Sequence, residues 1–360
     1  MTTLDIIRKT KAAWSALRDA DAETKNRLLT AMADSLVDHT AEILTCNETD
    51  LEAARGHISD VMLDRLRLDE SRIAAMAEGI RATVKLPDHN VQVVNGRSGQ
   101  IYSPYAVLIN ADTGEILMDT DGGEQIYPAS LTKIMTAIVA VEHTKDQDEQ
   151  VVFDKNIFED LYGMDASMAG FQPGEKVSLK DLLYGILLPS GAECCLAYAR
   201  HVSGTEADFV DLMNQKAEEL GMEHTHFSNV TGLHSENHYT TAEDMAILLK
   251  YALSNRIFRE AFTSWTYEAK PTNIHPEGVF FQSTLSKGLE QIALKDRTFG
   301  EEIILGGKTG YTDEAGLCLA SLAYIHGQEY ILVTAGAGGS HQTEQYNILD
   351  AVEVYQRLIF

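Results

Sequence analysis

An α/β (α+β) architecture, an antiparallel sheet flanked by helices with an all-helical segment ahead of it, is expected from three patterns in the 360-residue chain. Residues 1 to about 87 repeat apolar side chains at helical spacing and carry no strand signal. Two distant stretches, "YAVLINADTGEILMD" and "LCLASLAYIHGQEYILVTAGAG", alternate apolar and polar residues on either side of a turn, as hairpins do. Helical periodicity returns several times between them. Strands at both ends of a run of helices imply one sheet assembled from the two termini of that region.

Taken in order, "NRLLTAMADSLVDHTAEILTCN" and "SRIAAMAEGIRATVKL" space their apolar residues three and four apart, with Asp69 and Ser71 placed as N-caps and Pro87 as a stop. Cys46 falls inside this pattern and is expected to be a small buried thiol rather than a nucleophile. The polar stretch "PDHNVQVVNGRSGQIYS" is a connector. It divides the chain into a helical segment, 1–98, and a second domain, 99–360. The first hairpin turns at DTG. Helices are then expected from Ser130 to Glu142, Leu179 to Val202, Glu206 to Leu220 and Thr241 to Leu253. The second hairpin turns at His326-Gly327, and "EQYNILDAVEVYQRLIF" closes the chain as an amphipathic helix.

Composition narrows the function. With 44% hydrophobic residues the chain can bury a core in each of two units. A formal net charge of −25 argues against nucleic acid and against an anionic membrane surface, both of which call for lysine and arginine. Cys46, Cys194, Cys195 and Cys318 form no CxxC pair, so neither a disulfide framework nor a zinc site is expected. His224, His226 and His238 read as turn and core residues, with no acidic or histidine partner at ligand spacing, and "TKDQDEQ" reads as a solvated loop. The start, "MTTLDIIRKTKAAWSALRDADAETKNRLL", lacks an apolar signal-peptide core, and no run of about 18 apolar residues occurs. As written, the chain is expected to be soluble and cytoplasmic, without a membrane segment.

Chemistry concentrates in three places. In "YPASLTKIMTAIV", Ser130 and Lys133 stand at i and i+3, about 5 to 6 Å apart at Cβ on one helix face. A serine hydroxyl is a weak nucleophile that needs a nearby base, which this S-x-x-K spacing supplies, although a helix cap followed by an exposed lysine has the same spelling. Ser190 lies in a Pro-Ser-Gly turn within "LLYGILLPSGAECCLAYA". Lys308-Thr309-Gly310, in "LGGKTGYTDEAG", stands just before the terminal hairpin.

The ordered set SxxK, SGx and KTG is the signature of penicillin-binding proteins and serine β-lactamases. Residues 101–360 resemble the serine-type D-alanyl-D-alanine carboxypeptidases of the low-molecular-mass penicillin-binding proteins, through "AVLINADTGEIL", "YPASLTKIMTA", "MAGFQPGEKVSLKDLLYGILLPSGAE", "FVDLMNQKAEELGMEHTHFSNVTGLH", "YTTAEDMA" and "GGKTGYTDEAG". The resemblance implies a β-lactamase/transpeptidase-like fold. It also implies that Ser130 attacks the penultimate D-alanine carbonyl of a peptidoglycan stem peptide ending in D-Ala-D-Ala, with Lys133 as base and Ser190 relaying the proton. Lys308 and Thr309 of the Lys308-Thr309-Gly310 motif would hold the terminal carboxylate, and the N–H groups of Ser130 and Tyr311 would form the oxyanion hole. β-Lactam antibiotics would be covalent inhibitors, no metal or organic cofactor would be needed, and the site of action would be extracytoplasmic. Ser167, in "DASMAGFQPGE", would lie in a loop beside the cleft. The family's second motif usually ends in asparagine, but here Ala192 stands there and Glu193 follows. Glu193 either reaches an ammonium in the asparagine's stead or is a solvated charge at a helix start. The alternatives are a β-lactamase or esterase on the same fold, or a non-catalytic stem-peptide binder. Residues 5 to about 90 resemble the amino-terminal part of gamma-glutamyl phosphate reductase, through "ETKNRLLTAMADSL", "AEILTCNETDLEAAR" and "MLDRLRLDESRIAAMAEGIR", and end before that family's catalytic sequences.

Overall fold

In the computed structural model, which describes residues 22–55, 63, 66–84, 101–164, 166–291, 298–299 and 302–359, the chain folds as two units, 1–90 and 91–360. The opening residues, Pro87 and most of the connector lie outside the described residues.

The first unit contains α1 (Ala22–Asp38), α2 (Thr40–Ala54) and α3 (Glu70–Val84). Ala33, Ile73 and Ala77 are buried where α1 meets α3, and Arg81 pairs with Asp34 at 2.8 Å. Asp69 caps α3, its Oδ1 accepting the Arg72 N–H at 2.8 Å; Ser71 donates its hydroxyl to the same oxygen and is not itself the cap. Cys46 is exposed, contrary to the expected burial. The partly buried residues of α2 are Thr40, Ile43, Leu44, Asn47, Leu51 and Ala54, spaced mainly three and four apart, and Cys46 falls outside that stripe.

The second unit is built on a six-stranded antiparallel sheet in the order β2-β1-β10-β9-β8-β7. The first hairpin forms β1 (Tyr105–Asn110) and β2 (Ile116–Thr120). A 3-10 turn at Ala129–Leu131 leads into α4 (Thr132–Glu142). Then follow β3 (Gln150–Val152), α5 (Lys155–Leu161), β4 (Lys176–Ser178), α6 (Leu179–Leu187), α7 (Ala192–Ser203), α8 (Glu206–Leu220), α9 (Ala242–Ser254) and α10 (Arg256–Phe262). The chain continues through β5 (Thr266–Ala269), β6 (Val279–Gln282), α11 (Thr284–Gln291), β7 (Thr298–Phe299) and β8 (Glu302–Thr312). It closes with β9 (Gly316–Ile325), β10 (Gln328–Ala337) and α12 (Tyr346–Ile359). The sheet therefore joins the two ends of the unit, as the strand pattern predicts, with β1 running beside β10 from Tyr105↔Ala335 to Asn110↔Tyr330.

Each face of the sheet carries a core. On one side Leu108, Leu319, Leu332 and Ala323 pack with Ile348 and Tyr355 of α12. On the other, α4 is apolar nearly all round, and every residue from Thr132 to Val141 is buried among α6, α7, α8, α9 and α10. The continuous helix expected from Leu179 to Val202 is broken. Pro189 cannot continue α6, so the chain turns between Leu187 and Ala192 before α7 begins. The two-stranded sheets β3/β4 and β5/β6 escape pattern reading because strands of three or four residues show too little alternation.

Candidate functional site

Ser130 sits in the 3-10 turn ahead of α4, and three pieces of backbone converge on it. Ala129 adopts a left-handed φ of 46°. A side chain at Gly232 would stand 1.8 Å from the Ala129 carbonyl, and one at Gly310 would stand 3.0 Å from the Ser130 nitrogen. Glycine permits this close approach, and the serine hydroxyl is left in a cleft between α4 and β8.

One helical turn on, Lys133 Nζ lies 2.8 Å from Ser130 Oγ and donates to Thr231 O at 2.6 Å. The lysine is 2% exposed, and burial lowers its pKa from the usual 10.5 while Cys195 and Glu193 oppose the shift. Loss of water penalises the ammonium and favours the amine, the form that can accept a proton.

The second serine arrives from the turn between α6 and α7. Ser190 is 3% exposed and has φ 68°, an unusual conformation for a residue with a side chain. Its Oγ accepts from Lys308 Nζ at 2.9 Å, and the same Nζ donates to Thr309 O at 2.7 Å. Lys308 is completely buried; desolvation first, and the like charge of Lys133 second, drive its pKa well down. Strand β8 fixes the rest by its register with β9, Lys308↔Ala320, Thr309↔Leu319, Gly310↔Cys318 and Tyr311↔Leu317. Thr309 Oγ1 donates to Thr284 Oγ1 at 2.7 Å, and the Tyr311 ring meets His341 edge to face at 4.9 Å.

Ser130, Lys133, Ser190, Thr309, Gly310 and Tyr311 thus line one cleft, with Lys308 buried behind Ser190. Thr231, Thr284 and His341 line it too and were not singled out from the sequence, where Thr231 lies in the quoted "NVTGLH" and the others carry no local signal. Ser167 borders the cleft and its carbonyl accepts the Ala192 N–H at 2.8 Å. Glu193 corrects both sequence readings. It is fully buried, so it is no solvated charge, and its Oε1 accepts from the backbone of Ala169 and Gly170 rather than from a lysine. The side chain leaves the first turn of α7 towards the loop between α5 and β4. His238 is a buried structural residue: its Nδ1 accepts from Ser228 N at 2.9 Å, which leaves Nε2 to donate to Thr132 Oγ1 at 2.7 Å. His224 and His226 are exposed, in the turn rather than the core.

Residues 91–339 match the family described as D-alanyl-D-alanine carboxypeptidase. The chain is 36% identical over 233 residues to D-alanyl-D-alanine carboxypeptidase DacF of Bacillus subtilis, covering 64% of this chain and 57% of that protein. It is 28% identical over 260 residues to DacD of Escherichia coli, covering 68% and 61%. The chain thus spans less than two thirds of the length of these relatives. Among solved structures, a mutant of the Streptomyces K15 DD-transpeptidase superposes with a TM-score of 0.64 at 25% identity, over 72% of this chain and 98% of that one. Penicillin binding protein 5 from Haemophilus influenzae gives 0.61 at 25% identity, over 72% and 71%. A stretch of 78 residues is 58% identical to gamma-glutamyl phosphate reductase of Neisseria meningitidis, 22% of this chain and 19% of that protein.

Proposed function

The chain belongs to the D-alanyl-D-alanine carboxypeptidase family, and from that premise we propose that its second unit removes the terminal D-alanine from peptidoglycan stem peptides through an acyl-serine intermediate. The observation that carries this is the pair of lysine–serine contacts in one cleft, Lys133 to Ser130 at 2.8 Å and Lys308 to Ser190 at 2.9 Å.

Neutral Lys133 takes the Ser130 hydroxyl proton as Oγ bonds to the carbonyl carbon of the penultimate D-alanine. The carbonyl oxygen becomes an oxyanion, held by the backbone N–H groups of Ser130 and Tyr311, a type of donor worth about 3 to 4 kcal/mol in comparable sites. As the intermediate collapses, the C–N bond breaks and Ser190 passes a proton from Lys133 to the departing amine. The D-alanine leaves. Water then adds to the acyl carbon and gives a proton to Lys133; the bond from that carbon to Ser130 Oγ breaks, Oγ takes the proton back from Lys133, and the shortened peptide leaves. Thr309 and Lys308 suit a terminal carboxylate: burial disfavours the Lys308 ammonium, and an arriving carboxylate would favour it again, so that a cation and a hydroxyl meet the anion together. A β-lactam carbonyl would be attacked by the same Ser130 Oγ. We place the acting protein outside the cytoplasmic membrane, where stem peptides are, while among the described residues no helix is long and apolar enough to cross a membrane.

Fluorescent penicillin gives the test. A persistent adduct, absent in Ser130→Ala, together with release of D-alanine from a peptide ending in D-Ala-D-Ala, is the expected result. Rapid turnover of the penicillin would indicate a β-lactamase instead, and a labelled Ser130→Ala protein would remove Ser130 from the mechanism.

A further inference from the structure

Glu193 is fully buried in the first turn of α7, yet only half of its carboxylate is used. Oε1 accepts the N–H of Ala169 at 2.7 Å and of Gly170 at 2.9 Å, whereas Oε2 is shut off from solvent without a hydrogen-bond partner. Burying a carboxylate with one oxygen bare is costly, so what the other oxygen holds must return stability or function.

What it holds is a wall of the cleft. Ala166 and Ser167 line the cleft beside Ser130 and Ser190. At the far end of this loop Phe171 is buried and stacks on Phe153 at 5.4 Å. At the near end Tyr162 and Met164 are 90% and 54% exposed and give no apolar anchorage. In between, the loop is tied down by the Ala192 N–H to Ser167 O bond and by the two bonds to Glu193. The loop also lies hard against Gly191, where a side chain would stand 2.7 Å from Ala169 Cβ and 3.0 Å from Glu193 Oε2. Turn, loop and carboxylate therefore pack as one piece.

We propose that Glu193 is a positioning residue for the acylation described above: it clamps residues 166–171 so that Ala166 and Ser167 wall the cleft next to the two serines. The proposal rests on the reading of Ser130 as nucleophile only for its effect on rate. The clamp is made by an oxygen that accepts two N–H groups, and a neutral amide oxygen has the lone pairs to accept the same two, more weakly than a carboxylate. Charge is a separate contribution: two donors on one oxygen and the start of a helix favour the ionised form, while burial pushes the Glu193 pKa up.

Hydrogen exchange and penicillin acylation, measured on the full chain, separate these roles. In Glu193→Ala the Ala169 and Gly170 amides should exchange at least about tenfold faster, while amides pairing β9 with β10 stay unchanged, and acylation should fall about tenfold or more. Glu193→Gln should keep both amides slow and acylate within about threefold of the parent. If Glu193→Ala does not fold, Glu193→Asp, one methylene short of the loop, should show the same amide release. Unchanged exchange at Ala169 and Gly170 in the Ala or Asp variant overturns the clamp. A Gln variant as slow to acylate as the Ala variant shows that charge, not loop placement, is what Glu193 supplies. A parent protein that penicillin does not label defeats the nucleophile reading, and the exchange data still decide the clamp.

Discussion

Lys308 Nζ donates to Ser190 Oγ at 2.9 Å across 118 residues of sequence. The contact joins the middle of β8 to the turn between α6 and α7, so the serine proposed to carry a proton is held by the lysine proposed to meet the carboxylate. Binding and proton transfer then share one hydrogen bond, and changes at Lys308 should alter both KM and kcat.

Because burial lowers the pKa of Lys133, the sign of the pH dependence is fixed. The proposed base works as the amine, so penicillin acylation should rise with pH through the lowered lysine value and level off above it. Lys133→Arg, which keeps a charge but offers no neutral form near neutral pH, should abolish the rise together with acylation. Acylation that falls, rather than rises, with increasing pH in the parent would exclude Lys133 as the base.

His238 makes a prediction about stability. Burial, with lesser contributions from His226, His234 and Lys133, brings its pKa from 6.5 to about 4. Between those values the unfolded chain binds a proton that the folded one refuses, so stability is lost as pH falls from 6.5 towards 4. The loss amounts to about 3 kcal/mol at the acid end. His238→Asn keeps an acceptor for the Ser228 N–H but does not titrate. Subtracting its denaturant-unfolding curve from the parent's at pH 7 and pH 4.5 should isolate this slope, and equal slopes in the two proteins would refute it.

Residue spacing disclosed the chemistry better than the geometry. Ser130 and Lys133 were legible because i and i+3 meet on any helix, and the end hairpins because β1, β2, β9 and β10 alternate strongly. Strand β8 was not, since Gly306, Gly307 and Gly310 interrupt the apolar pattern while its place in the sheet comes from pairing with β9. Glu193 was misread for a different reason: sequence adjacency to the Ser190 motif says nothing about which way a side chain leaves the first turn of a helix. Thr284 and His341 reach the cleft only through tertiary packing.

The second unit should fold without residues 1–98. Ile101 is buried in its core, and Asp350 of α12 accepts from Tyr102 N, Ser103 N and Ser103 Oγ at 2.7, 2.9 and 2.6 Å. A cut before residue 99 spares all of these. Fragment 99–360 should unfold in one cooperative transition and take penicillin at the parent's rate; a non-cooperative melt would contradict this.

Ala192 is where the family pattern and this chain part, and the structure says what an asparagine would meet. The alanine is fully buried, lines the cleft beside Lys133 and Ser190, and spends its N–H on Ser167 O. Lys133 Nζ has Ser130 Oγ and Thr231 O as neighbours, which leaves an N–H direction that a carboxamide oxygen could accept. The amide nitrogen would at the same time offer a donor to the substrate. Ala192→Asn should therefore raise penicillin acylation about tenfold, equivalent to roughly 1.4 kcal/mol of transition-state stabilisation. The larger side chain enters a packed site against the Glu193-bound loop, so the same variant should lose about 1 to 3 kcal/mol of stability. Acylation rate and denaturant midpoint, measured together, distinguish the two effects. Faster acylation with lower stability fits an amide missing from a working site. Slower acylation with unchanged stability would mean that the cleft uses the space an alanine leaves, and that the chain reaches its rate without an amide.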